Sequence, residues 1–166
     1  MKNLSKNKKR WLIGTTSFTI VAILLLAWLY GWGGDDINVM NFDADDVVSI
    51  KMGATLFEFE PFVVTDKEDI ETVIDKVNGL QYAGKSIRQV LKYGLFSGGS
   101  VLYEFGVELT TGEEFYFCIA VNKGYTPGED VEGSYWGSEH ESGNMCKGSI
   151  DWFYALHEKH TSELTV

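Results

Sequence analysis

Residues 101–121 read VLYEFGVELTTGEEFYFCIAV. In the first half Val101, Tyr103, Phe105, Val107 and Leu109 alternate with Leu102, Glu104, Gly106 and Glu108. In the second half Phe115, Phe117, Ile119 and Val121 alternate with Tyr116, Cys118 and Ala120. Alternation with period two marks strands that bury one face, and Thr-Thr-Gly between them marks a hairpin. Loop length decides whether the two apolar faces agree. A two-residue turn at Thr111-Gly112 pairs Leu109 with Glu114 and sets a carboxylate on the apolar face. A three-residue loop, Thr110-Thr111-Gly112 with Gly112 left-handed, pairs Leu109 with Glu113 instead. Phe115, Phe117, Ile119 and Val121 then lie beside Val107, Phe105, Tyr103 and Val101. Because register follows the buried face, the three-residue loop is expected, with Cys118 opposite Glu104 on the other face.

On the C-terminal side, residues 122–149 are rich in Gly, Ser, Glu and Asn and contain Pro127, which reads as a long loop. A structureless loop of that length is uncommon in a domain, so a strand is expected within it at Ser134-Tyr135-Trp136. Ser149 is placed to cap a last helix from Ile150 to about Lys159, carrying Trp152, Phe153 and Leu156. Residues 161–166 read as a frayed tail.

On the N-terminal side, residues 47–52 read as a strand, Gly53-Ala54 as a turn, and Leu56-Phe57-Glu58-Phe59-Glu60 as a second strand with Phe57 and Phe59 inward. Pro61 confines that strand to an edge or a bulge, since it donates nothing to a ladder, and residues 62–64 resume it. Thr65-Asp66-Lys67-Glu68 fits a capping box, with the Thr hydroxyl as cap. Behind it Ile70, Val73, Ile74, Val77 and Leu80 form one apolar stripe at helical spacing, and Asn78-Gly79 ends the helix. One or two helical turns are expected over residues 86–93. The order implies an α+β domain: an antiparallel sheet with helices packed on one face.

Ahead of the domain, residues 11–30, WLIGTTSFTIVAILLLAWLY, contain no charge, and the ten residues before them carry Lys2, Lys6, Lys8, Lys9 and Arg10 with no acid. As a helix the run matches a hydrocarbon core of about 30 Å. Trp11, Trp28, Tyr30 and Trp32 flank it as interfacial rings do, and the basic tip retains the N-terminus in the cytoplasm. The bulky residues after the run, and the absence of a nearby Cys, argue for an uncleaved anchor rather than a signal peptide or lipoprotein signal. The expected organisation is a basic cytoplasmic tip (1–10), a transmembrane helix (11–30) with the lipid bilayer as partner, a linker (31–36), an extracytoplasmic domain (37–160) and the tail (161–166).

Nine cations against 24 acids leave the part after the run at −15. Such a charge disfavours nucleic acid and anionic lipid, which need clustered cations, and suits a basic partner or simple solubility. Cys118 and Cys146 stand in a compartment that permits a bridge; a disulfide between them and two buried thiols are both open readings. His157 and His160, three apart, do not reproduce the zinc spacing of four, although with His140 or Glu141 they would suffice for a metal. Asp43-Ala44-Asp45-Asp46 lacks the arrangement of a calcium loop and reads as a solvated linker; Glu129, Asp130, Glu132, Glu139 and Glu141 form a second acidic group in the long loop, open to a weak cation, a basic partner or plain solvation. Gly98-Gly99-Ser100 opens no helix and so is no phosphate cradle. Tyr135 and Trp136, beside loop glycines, are candidates to stack on a sugar or peptide.

A basic tip, a lone anchor and one small acidic domain, with the helix-opening segment Val64-Thr65-Asp66-Lys67-Glu68-Asp69-Ile70, resemble the uncharacterised small single-pass membrane-anchored envelope proteins of Gram-positive bacteria. That resemblance implies a location at the cell membrane and transfers no catalytic residue. The expected function is therefore a non-enzymatic, membrane-tethered interaction or accessory domain, without cofactor, that meets an envelope protein or cell-wall ligand. The alternative is a metal-dependent hydrolase using His140, His157, His160 and loop carboxylates.

Overall fold

The computed structural model describes residues 6–30, 36–55, 59–85, 101–121, 126–138 and 140–162. Its elements are α1 (Lys6–Tyr30), a short 3-10 turn (Ala44–Asp46), β1 (Val47–Ala54), β2 (Phe62–Val64), α2 (Lys67–Asn78), β3 (Gln81–Lys85), β4 (Val101–Leu109), β5 (Glu114–Val121), β6 (Val131–Gly137), β7 (His140–Gly148) and α3 (Asp151–Ser162). The seven strands form one sheet in the order β2-β1-β4-β5-β6-β7-β3, and every neighbouring pair is antiparallel. The α+β class is as expected.

The central hairpin has the register that the buried face demanded. Phe117 pairs with Phe105, Ile119 with Tyr103 and Cys118 with Glu104. Leu109 N donates to Glu113 O at 2.9 Å, and Gly112 has φ +84°. Tyr103, Phe105, Phe117 and Ile119 are all fully buried beneath the stripe of α2 and Phe153 and Leu156 of α3, so one core fills one face.

Helix α2 carries the chain from one edge of the sheet to the other. β2 lies at the first edge and β3, just after α2, pairs with β7 at the opposite edge. Sequence reading missed β3. It also placed the cap one residue early: Asp66, not Thr65, accepts from the amides of Glu68 and Asp69. A carboxylate at that position also faces the positive end of the helix dipole.

Other expectations fail for identifiable reasons. Gly53-Ala54 is not a turn, because β1 continues to pair Ala54 with Tyr103 of β4. Residues 56–58 lie outside the described residues, and Phe59 and Glu60 are not in a strand; Phe59 nevertheless packs on the core, stacked on Phe153. The loop read over 122–149 is largely a second hairpin, β6–β7. Two of its glycines are what close pairing requires. A Cβ on Gly133 would lie 2.5 Å from the Ala120 carbonyl oxygen, and one on Gly137 would lie 2.4 Å from that of Tyr116. Ser149 Oγ accepts from Asp151 N at 3.2 Å, but the helix starts at Asp151 rather than Ile150, which leaves Ser149 one residue outside the cap position, and it runs through Thr161 and Ser162, where a tail was expected. The short helix expected over 86–93 and Gly98-Gly99-Ser100 lie outside the described residues.

The helix α1 has 25 residues, and Phe18, Ile20, Val21, Ile23, Leu24, Leu25 and Leu26 along it are exposed. Among the described residues no helix is long and apolar enough to cross a membrane. The side chains described in α1 are those of residues 15–27.

Candidate functional site

The sheet has two unlike faces. Around β1, β4 and β5 the face away from the helices is open and polar. Register aligns Val63 of β2, Lys51 of β1, Gly106 of β4 and Tyr116 of β5 in one row across the strands. Gly106 has no side chain between Lys51 and Tyr116, so the row dips there into a trough of about 350 Å³ lined by Ser49, Lys51, Val63, Glu108, Glu114 and Tyr116. A Cβ at Gly106 would meet nothing closer than Lys51 Cβ at 3.9 Å, so the glycine leaves space rather than relieving a clash.

Two features give the trough its chemistry. Glu108 and Glu114 stand directly opposite one another, both exposed, and like charges in that position repel. Ser49 Oγ donates to Glu108 Oε2 at 3.2 Å. On the far wall Tyr116 is 38% exposed and its hydroxyl donates to Glu104 Oε1 at 3.0 Å. Burial, then Cys118 and Glu104, push the Tyr116 phenol up, so it stays protonated and remains a donor. Two lining carboxylates and one aromatic ring, with Glu104 behind the ring, outweigh the cation Lys51 and suit a ligand carrying positive charge.

A second cluster joins the helices. Asp69, in the first turn of α2, is 7% exposed. Lys159 Nζ donates to its two oxygens at 2.8 and 2.7 Å, and His160 Nε2 lies 2.8 Å from Oδ2. Burial raises the Asp69 carboxyl, but the hydrogen bonds and charge of Lys159 and His160 outweigh it and hold the group below the usual carboxylate range. All three groups are engaged with one another, which makes this a clasp between α2 and the last turn of α3.

The residues singled out from sequence scatter. His157 stacks on Phe59, ring centroids 4.1 Å apart, while His160 is held by Asp69. The side chains of His140 and Glu141 lie outside those described, as does Glu139. Among the described residues no three potential ligands gather to hold a metal. Asp45 pairs with Lys67, and Asp130 with Lys147 at 3.4 Å, so both acidic groups take part in surface ion pairs. Tyr135 and Trp136 do not form one surface: Tyr135 is buried in the core against Phe117, and Trp136, paired with Cys118, faces the other way.

Cys118 and Cys146 are free thiols, both buried. A bridge between them is excluded by the pleat. Cys146 pairs with Gly133 and joins the core, whereas Cys118 pairs with Trp136 and points out of the opposite face. Their strands β5 and β7 are separated by β6, about 9.6 Å from first to last, beyond the reach of a disulfide. Burial pushes the Cys118 thiol up to about 11 and the Cys146 thiol to about 12.

Sequence reading did not single out the trough, yet its signal was present. Once the three-residue loop is chosen, Gly106 falls opposite Tyr116 and Glu108 opposite Glu114. Only the third strand, β1 with Ser49 and Lys51, is invisible to that reasoning. No family model matches this chain, and no match is found among curated proteins or solved structures.

Proposed function

We propose that this protein is a membrane-tethered interaction domain of the cell envelope. In this reading residues 11–30 cross the bilayer as a single anchor, the basic tip 1–10 stays in the cytoplasm, and residues 37–160 work outside the membrane without catalysing a reaction. The support for the anchor is the charge-free run, its basic flank and the exposed apolar side chains of α1. The observation that carries the interaction role is the trough on the open sheet face. It places an aromatic ring beside opposed, exposed carboxylates. The partner is therefore a basic segment of an envelope protein or a cationic group on a cell-wall ligand.

The test uses the full chain in lipid nanodiscs, titrated with a lysine-rich and a glutamate-rich peptide of equal length. The lysine-rich peptide should bind and the other should not. Tyr116→Ala and Glu114→Gln should each weaken binding about two- to fivefold, as expected for one exposed cation–aromatic or ion pair. Equal binding of both peptides, or wild-type binding by both variants, would remove the trough from consideration. Stoichiometric zinc in the purified protein would favour the metal-dependent hydrolase over this reading.

A further inference from the structure

The segment between α1 and β1 is built into the domain. Asp36 forms an antiparallel bridge with Gln81 of β3. Ile37 N donates to Leu80 O at 2.8 Å, and Asn38 N to Asn78 O at 3.4 Å. The Asn78 side chain then grips both backbone groups of Met40: Met40 N donates to Oδ1 at 2.8 Å, and Nδ2 donates to Met40 O at 2.9 Å. Val39 and Met40 are each 1% exposed in the core. Asn38 has φ +43°, a left-handed conformation that asparagine tolerates better than most residues, which turns the chain into this seat. Seven residues that sequence reading placed partly in a linker and partly at the start of the domain thus run as one stem: 36–40 along β3 and the end of α2, and Phe42 edge-on against Phe115 of β5, ring centroids 5.4 Å apart.

This sets how far the domain can stand from α1. Six chain steps separate Tyr30 from Asp36, a span of at most about 22 Å whatever their conformation. The stem attaches at the β3 edge, and the trough is centred on β4, four strand spacings or about 19 Å across the sheet. We infer that residues 36–42 are a stem, gripped at Met40 by Asn78, that confines the trough to within about 40 Å of the membrane end of α1. This inference rests on the anchor proposed above and adds to it the reach of the trough. Were the stem released as far as Asp43, thirteen steps would separate the domain from Tyr30, and the leash alone would reach about 47 Å.

The experiment reconstitutes the full chain into vesicles and measures three things. Flotation reports the anchor. Thermolysin cleavage within residues 36–42, which contain Ile37, Val39, Met40 and Phe42, reports release of the stem. Energy transfer from a dye at Glu113→Cys to acceptor headgroups reports the height of the domain. The wild-type chain should float, resist cleavage in the stem and show one short distance. Asn78→Ala should be cut in the stem about tenfold faster or more, as the loss of both Met40 hydrogen bonds would produce, and should show a longer and broader distance. Asn78→Asp retains the acceptor for Met40 N and should shift both readouts less, which keeps the test informative if Asn78→Ala unfolds. A chain that does not float overturns the anchor and this inference together. A chain that floats but is cut in the stem as fast as Asn78→Ala, or that shows the same distance, overturns the stem alone.

Discussion

Asp69 and Lys159, ninety positions apart, meet through both carboxylate oxygens at 2.8 and 2.7 Å, and this contact holds the start of α2 to the end of α3. The carboxylate sits at the positive end of one helix and the ammonium at the negative end of the other, so both dipoles favour the pair. Because the Lys159 side chain is 50% exposed, water screens part of the attraction. Asp69→Asn should therefore destabilise the domain by about 1–3 kcal/mol in urea unfolding at neutral pH.

The same contact fixes a pH dependence. The Asp69 carboxyl lies below its ordinary value in the folded state, so the unfolded chain takes up its proton first as pH falls. The contribution is complete above about pH 5 and is lost progressively as pH drops through the folded value. Stability of the wild-type domain should fall more steeply between about pH 5 and pH 2 than that of Asp69→Asn. Parallel curves for the two proteins would show that Asp69 titrates normally.

Gly112 at φ +84° would have nothing within 4 Å of an added methyl group, so only backbone conformation restricts the position. Gly112→Val should cost about 1–2 kcal/mol, while Thr111→Val, exposed in the same loop, should stay within about 0.5 kcal/mol. Similar melting temperatures for the two variants would contradict the three-residue loop.

Glycines on the two hairpins should respond in opposite ways. Gly133→Ala forces a methyl to within 2.5 Å of the Ala120 carbonyl oxygen and 2.7 Å of Val121 Cγ1, and should destabilise by about 1–3 kcal/mol. Gly106→Ala meets only Lys51 Cβ at 3.9 Å; it should leave stability within about 0.5 kcal/mol while raising the floor of the trough. Chemical denaturation of both, beside lysine-peptide binding by the second, separates a packing glycine from one that leaves room.

Both cysteines should resist alkylation at about pH 8, because each is buried and its thiol pushed up, to about 11 for Cys118 and about 12 for Cys146. Under denaturant, without reductant, two thiols should react per chain. An unreactive chain that gains two thiols only on reduction would establish the bridge that the two sheet faces forbid. Phe117→Ala should cost about 3–5 kcal/mol and Cys118→Ser less, since Phe117 fills the shared core whereas the smaller thiol faces the other side.

What the sequence by itself determined is local and periodic. The alternation over 101–121 contains the β4–β5 register down to its loop, and the spacing of Ile70, Val73, Ile74 and Val77 contains the buried face of α2. Each follows from one segment pairing with its neighbour or turning about its own axis, so nearby residues suffice. Tertiary structure decided the rest. β3 lies at the far edge because α2 crosses the core face, a choice made by what packs beneath the helix. β6 lies against β5 because Gly133 and Gly137 admit the β5 backbone, and β7 then pairs with β6, although the same composition in isolation reads as a loop. The opposite faces of Cys118 and Cys146, the trough closed by β1, and the grip of Asn78 on Met40 each join residues distant in sequence. Such contacts depend on which strands become neighbours, and no periodicity within a single segment encodes that.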